Sequence, residues 1–110
     1  MALPVFTEDI SEDELDRMVS NAKTASDFLK AISHESRLLI LCHLVSGEKS
    51  VTELERLLSA RQAAVSQQLS RLRLEGLVTP RREGKTIYYR LTDDRSRKIL
   101  EVVYELFCKS

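Results

Sequence analysis

Apolar positions recur at spacings of three and four along most of this chain, and the period changes once. Leu15, Met18, Val19, Ala22, Ala25, Leu29 and Ile32 form one helical stripe behind Ser11, which with Glu14 makes a capping box. A second helix is predicted behind a cap at Ser33, with Leu38, Leu41, Cys42 and Val45 on one face and Ser46-Gly47 at its end. Ser50 and Glu53 make another capping box and start a short helix to about Leu58. After a turn from Ser59 to Arg61, a fourth helix runs from about Gln62 to Glu75, stopped by Gly76. The period then becomes two. Ile87, Tyr89 and Leu91 alternate with Thr86, Tyr88 and Arg90, a strand with one buried face. Leu77 to Arg82 is its partner, Glu83-Gly84 lies near the turn, and Pro80 implies an edge position. Thr92-Asp93 opens a last helix carrying Ile99, Leu100, Val103, Leu106 and Phe107. The expected fold is mainly α with a small β-hairpin (α+β). Residues 1–10, with Pro4, are expected as a flexible arm, and residues 11–110 as a single domain.

Composition narrows the class. A chain of 110 residues with 43% hydrophobic and 31% charged side chains is ordinary for one globular domain. Its longest strongly apolar run, Leu38 to Cys42, falls far short of the ~20 residues that span a bilayer. The acidic start lacks the basic and apolar regions of a signal peptide, so the expected location is cytoplasmic. Net charge is zero, but its distribution is polarised. Residues 1–20 hold six acids against Arg17, whereas residues 56–90 hold eight bases against Glu75 and Glu83. Such a chain can lay a positive face on a phosphate backbone while neutral as a whole.

Two short helices joined by a tight turn, with a basic hairpin downstream, are the layout of a winged helix-turn-helix. One face of the reading helix must pack while the other enters a major groove. Val65, Leu69 and Leu72 supply the inward stripe; Gln62, Ala63, Ser66, Gln67 and Ser70 are placed on the outward side. Glutamine can present a donor and an acceptor to adenine, and serine can bond a base or a phosphate. Arg71 and Arg73 suit phosphates, where they position without specifying. Arg81, Arg82 and Lys85 on the hairpin would grip the flanking backbone or reach a minor groove. A winged helix that binds protein instead of DNA is the alternative for the same layout.

The run Gln62-Ala-Ala-Val-Ser-Gln-Gln-Leu-Ser-Arg-Leu-Arg-Leu-Glu-Gly-Leu-Val78, followed by Arg81-Arg-Glu-Gly-Lys-Thr-Ile-Tyr-Tyr-Arg-Leu91, resembles the ArsR/SmtB family of bacterial repressors. Ala31-Ile-Ser-His-Glu-Ser-Arg-Leu38 is similar to the same family's second-helix signature, and the resemblance spans about residues 20 to 108. It implies a homodimer built through the first and last helices, bound to double-stranded operator DNA until an inducer releases it. Arg61 departs from the serine that often caps the reading helix in that family, so the start of this helix can differ.

Many members of the family sense metals. The positions that match one type of metal site are Ser50 and Thr52, and residues 93–108 offer no histidine for the other type. The two histidines, His34 and His43, fall on the second helix, and His43 points about 100° away from Cys42. No metal and no cofactor are therefore expected. No Cys-x-x-Cys, phosphate loop or nucleophile elbow is present, which argues against an enzyme. Cys42 and Cys108 remain. They can be inert small hydrophobes, or a pair brought together across 65 intervening residues and switchable if a thiolate is accessible. Their contexts, Leu-Ile-Leu-Cys42-His and Glu-Leu-Phe-Cys108, look like the sensor pair of the persulfide-responsive repressors in this family, the SqrR and BigR type. That likeness implies reactive sulfur, such as persulfides, as the inducer; a soft metalloid or a general oxidant is the alternative.

Overall fold

Side-chain oxygens open three of the helices. Ser11 Oγ accepts the backbone N–H of Glu14 at 3.2 Å ahead of α1 (Glu12–Ile32). Ser50 and Glu53 exchange bonds of 3.1 and 3.0 Å, a complete capping box ahead of α3 (Val51–Leu58). Asp93 Oδ1 accepts the Ser96 N–H at 3.1 Å at the head of α5 (Asp94–Val103). Each cap satisfies an amide that a first helical turn leaves without an intrahelical partner. For α2 (Glu35–Leu44) the expected cap at Ser33 is corrected. The cap position is His34, which makes no side-chain bond to the helix amides; its Nδ1 lies 2.9 Å from Ser36 Oγ instead.

The computed structural model describes residues 8–59 and 62–109, and of Gln62 and Ala63 the backbone only. Residues 1–7 of the expected arm, and Ala60 and Arg61 of the expected turn, lie outside the described residues. The chain falls into two compact units, divided between Lys30 and Ala31. The first consists of α1 up to Lys30, a surface-exposed helix with a Lys23–Asp27 ion pair of 3.0 Å one turn apart. Its predicted apolar stripe is largely uncovered in a single copy: Leu15, Val19 and Leu29 are exposed, Val19 by 62%.

The second unit holds the core. Ile40, Leu41 and Leu44 of α2, Leu54 of α3, and Val65, Leu69 and Leu72 of α4 (Gln62–Leu74) are all buried. The packed face of α2 thus runs through Ile40, Leu41 and Leu44. Leu38, Cys42 and Val45, expected on that face, are half-buried at its edge. Helix α4 ends in a Schellman motif: Leu77 N–H reaches Leu72 O at 2.9 Å and Gly76 N–H reaches Arg73 O at 3.0 Å. The motif needs a left-handed residue, and Gly76 supplies it at φ 77°. Leu77 then tucks into the core and leads directly into β2 (Val78–Glu83).

The hairpin partner β3 (Thr86–Leu91) pairs antiparallel with β2, with Pro80 opposite Tyr89. A third strand, β1 (Lys49–Ser50), pairs with the other side of β3 and was not expected. The order is β1-β3-β2, so β2 is an edge strand, the position in a sheet where a proline is accommodated. After α5 the chain widens into a π-helical turn, Tyr104–Cys108, closed by the Lys109 N–H on Tyr104 O at 2.9 Å. Leu100 is buried, whereas Leu106 and Phe107, carried by the expected last helix, fall in the π-helical turn and are 70% and 81% exposed.

Candidate functional site

Helices α3 and α4 are joined through Ser59, which takes the left-handed conformation at φ 50° and turns the chain sharply after α3. Burial of Val65, Leu69 and Leu72 fixes the rotation of α4 about its axis. Gln67, Ser70, Arg71 and Arg73 are consequently exposed, and Ser66 is half-buried at the margin. Arg71 holds Glu75 at 3.4 Å, one turn along the same helix. Gln62 and Ala63 stand in the first turn of α4; their side chains are outside the described residues.

The hairpin turns at Gly84, φ 62°, and presents Arg82 and Lys85 to solvent. Arg81 is differently placed. Its Nη2 lies 2.6 Å from Glu48 Oε1, its Nε 3.1 Å from both Glu48 oxygens, and its Nη1 2.9 Å from Glu83. The guanidinium also sits 4.8 Å from the centre of the Tyr88 ring. These bonds hold the Glu48 carboxyl below the usual carboxylate range and push Arg81 further into its charged form. Glu48 is a residue that sequence reasoning missed: it stands 33 positions from Arg81, beyond any local pattern.

The thiols flank the junction of α2 with the end of the chain. Cys42 is half-buried, Cys108 is exposed, and both are free. Cys42, Val45 and Ser46 form one wall of a cleft of about 310 Å3; Leu100, Glu101, Tyr104 and Glu105 form the other. Arg97, also unanticipated, donates from Nη1 to the Val45 carbonyl and so ties α5 to the C-terminus of α2. Burial pushes the Cys42 thiol up, and negative charge on Cys108 pushes it further. A raised thiol value means less thiolate at neutral pH. The alkylation rate of Cys42 is therefore expected to rise about tenfold per pH unit through and beyond the ordinary thiol range. Cys108→Ser, which removes the charge, should move that profile to lower pH; peptide-resolved mass spectrometry after iodoacetamide pulses at graded pH measures both.

Among the described residues no group of three His, Cys, Asp or Glu side chains is close enough to hold a metal ion. Among them, too, no helix is long and apolar enough to cross a membrane. A profile of bacterial regulatory proteins of the arsR family matches residues 34–79. The biofilm growth-associated repressor of Agrobacterium fabrum is 44% identical over 91% of this chain and 86% of its own. The chain belongs to the ArsR family. HlyU of Vibrio cholerae, named a transcriptional activator, is 40% identical over 87% of this chain and 89% of its own. Its structure in the reduced form superposes with a TM-score of 0.81 at 39% identity, covering 86% of this chain and 99% of that one. The transcriptional repressor BigR of Xylella fastidiosa gives 0.79 at 40% identity, over 86% and 97%. The fold is the winged helix-turn-helix of these regulators. As a member of this family, the chain is a DNA-binding transcriptional regulator and not an enzyme.

Proposed function

We propose that this ArsR-family protein is a homodimeric repressor that leaves its operator when reactive sulfur bridges Cys42 to Cys108. The observation that carries the reading is the thiol pair itself: two free cysteines, Cys42 half-buried on a cleft that Tyr104 and Glu105 of the terminal turn line from the other side, and Cys108 exposed at the end of that turn. The exposed apolar side chains of α1, α5 and the terminal turn support the dimer, because a second copy would cover them. The outward residues of α4, Gln62, Ala63, Ser66, Gln67 and Ser70, are the base-reading set in this proposal. Arg71, Arg73, Arg82 and Lys85 hold phosphates.

Exposure assigns the first step to Cys108. Its thiolate attacks the outer sulfur of a persulfide R–S–SH, giving Cys108–S–SH and the thiolate R–S⁻. Cys42, as thiolate, then attacks the inner sulfur; a Cys42–Cys108 disulfide forms and hydrosulfide leaves. The bridge joins α2 to the turn after α5 and shifts the two reading heads of a dimer away from the spacing of one DNA turn, roughly 34 Å. A coupling of about 1–3 kcal/mol would weaken operator binding about 5- to 150-fold.

Operator binding measured with and without persulfide, beside intact-mass spectra, tests the scheme. Cys42→Ser and Cys108→Ser should each bind as the reduced protein does and ignore persulfide. A response retained by both single variants would sink it. A mass gain of whole sulfur atoms in the bridged wild-type protein would replace the disulfide by a longer sulfur chain, and bridging by peroxide alone would make the inducer a general oxidant.

A further inference from the structure

We propose that the Glu48–Arg81 ion pair is the element that carries the state of the thiols from the end of α2 to the wing, and that Arg81 is a positioning residue, not a phosphate contact. The inference rests on the thiol-switch reading above. Helix α2 bears Cys42, and its C-terminal carbonyl, at Val45, is held by Arg97 of α5. Three residues beyond Val45 comes Glu48, immediately ahead of β1. Any bridge that moves the end of α2 relative to α5 must move this short connection.

Glu48 does not end in solvent. It receives both Nε and Nη2 of Arg81 on β2, a fork in which one oxygen takes a 2.6 Å bond. Arg81 is in turn seated on Tyr88, its partner in the β2–β3 register, and Tyr88 pairs on its other side with Ser50. Ser50 is the cap of α3, the first helix of the DNA-reading pair. One row of contacts thus runs from the connection after α2 across the wing and back to the start of the helix-turn-helix. A part-exposed ion pair adds little to stability. Its planar two-pronged geometry does fix orientation, and with Glu83 on its remaining side each of the three guanidinium nitrogens already holds a carboxylate oxygen.

The test is a cycle of operator affinities, reduced and persulfide-bridged, for wild type, Glu48→Gln and the swapped pair Glu48→Arg with Arg81→Glu. Glu48→Gln should bind operator within about threefold of wild type when reduced, and should still bridge its thiols in the mass spectrum. Its release on bridging should fall from the about 5- to 150-fold of a typical coupling to less than about threefold. The swapped pair should regain most of the release. Full release by Glu48→Gln overturns the inference, as does a swapped pair that bridges without releasing. Loss of reduced operator binding by Glu48→Gln, with its fold intact by circular dichroism, also overturns it, because Glu48 would then build the DNA-competent wing regardless of the thiols. If Glu48→Gln does not fold, the swapped pair alone decides. Wild-type protein that bridges and stays on DNA would instead defeat the thiol-switch reading beneath it.

Discussion

Leu69→Ala is expected to remove about 2–5 kcal/mol of folding stability, a large share of the 5–15 kcal/mol typical of a domain. Leu69 is wholly buried at the centre of the inward stripe of α4, where that helix packs against α2 and α3. Truncation there loses the transfer free energy of the missing carbons and leaves a cavity that three mutually packed helices cannot readily collapse to fill. Gln67, two residues earlier, is exposed on the outward face. Gln67→Ala should therefore stay within about 0.5 kcal/mol of wild type. Urea unfolding at one fixed protein concentration, so that any dimer contributes equally, measures the contrast. Equal losses for the two variants would mean that α4 does not divide into a packed face and a reading face, and the proposed base contacts would fall with it.

That division is legible in the sequence because a three-turn helix with apolar residues at i, i+4 and i+7 has one way to bury them. The caps at Ser50 and Asp93 and the stop at Gly76 are legible for a similar reason, since each is a local bond or backbone demand that one residue type meets. Features set at a distance are not. Strand β1 is two residues long, too short to show a period, and exists because β3 offers it a ladder. On α2 the run Leu38 to Leu41, with Leu44, is apolar nearly all round, so the pattern could not choose its buried face. Tertiary packing chose Ile40, Leu41 and Leu44, which rolled Cys42 to the rim of a cleft, where it is half-buried. Ser33 and His34 are adjacent polar residues at a helix start, and the start falls one residue later than the better capping side chain. The partners Glu48 and Val45, of Arg81 and Arg97, are 33 and 52 residues away, and a basic residue in a sequence carries no mark of the carboxylate or carbonyl that will engage it.

Operator affinity of the reduced protein is expected to fall by about four orders of magnitude between 50 and 200 mM salt. Each phosphate neutralised by a side chain releases condensed counterions, and log K falls with log salt at about 0.9 per contact. In the proposed dimer, Arg71, Arg73, Arg82 and Lys85 of each half would make eight contacts, hence a slope of about −7. Arg71 is counted although Glu75 holds it, because an exposed pair one turn apart is weak enough to exchange for phosphate. Arg81 is left out, because each of its guanidinium nitrogens already holds an oxygen of Glu48 or Glu83. Lys85→Ala should make the slope shallower by about 2 and weaken operator and random DNA alike. Gln67→Ala should keep the slope and cost only the operator, by about 1–3 kcal/mol for each base pair it reads. A titration series in fluorescence anisotropy separates the two effects, since one variant changes a gradient and the other an intercept. A slope that Lys85→Ala leaves untouched would take the wing off the DNA backbone, and the basic stretch from residue 56 to 90 would need another partner. A slope steeper than the eight contacts allow would mean that Arg81 exchanges its carboxylates for phosphate on binding, and the wing would then be held by DNA instead of by Glu48.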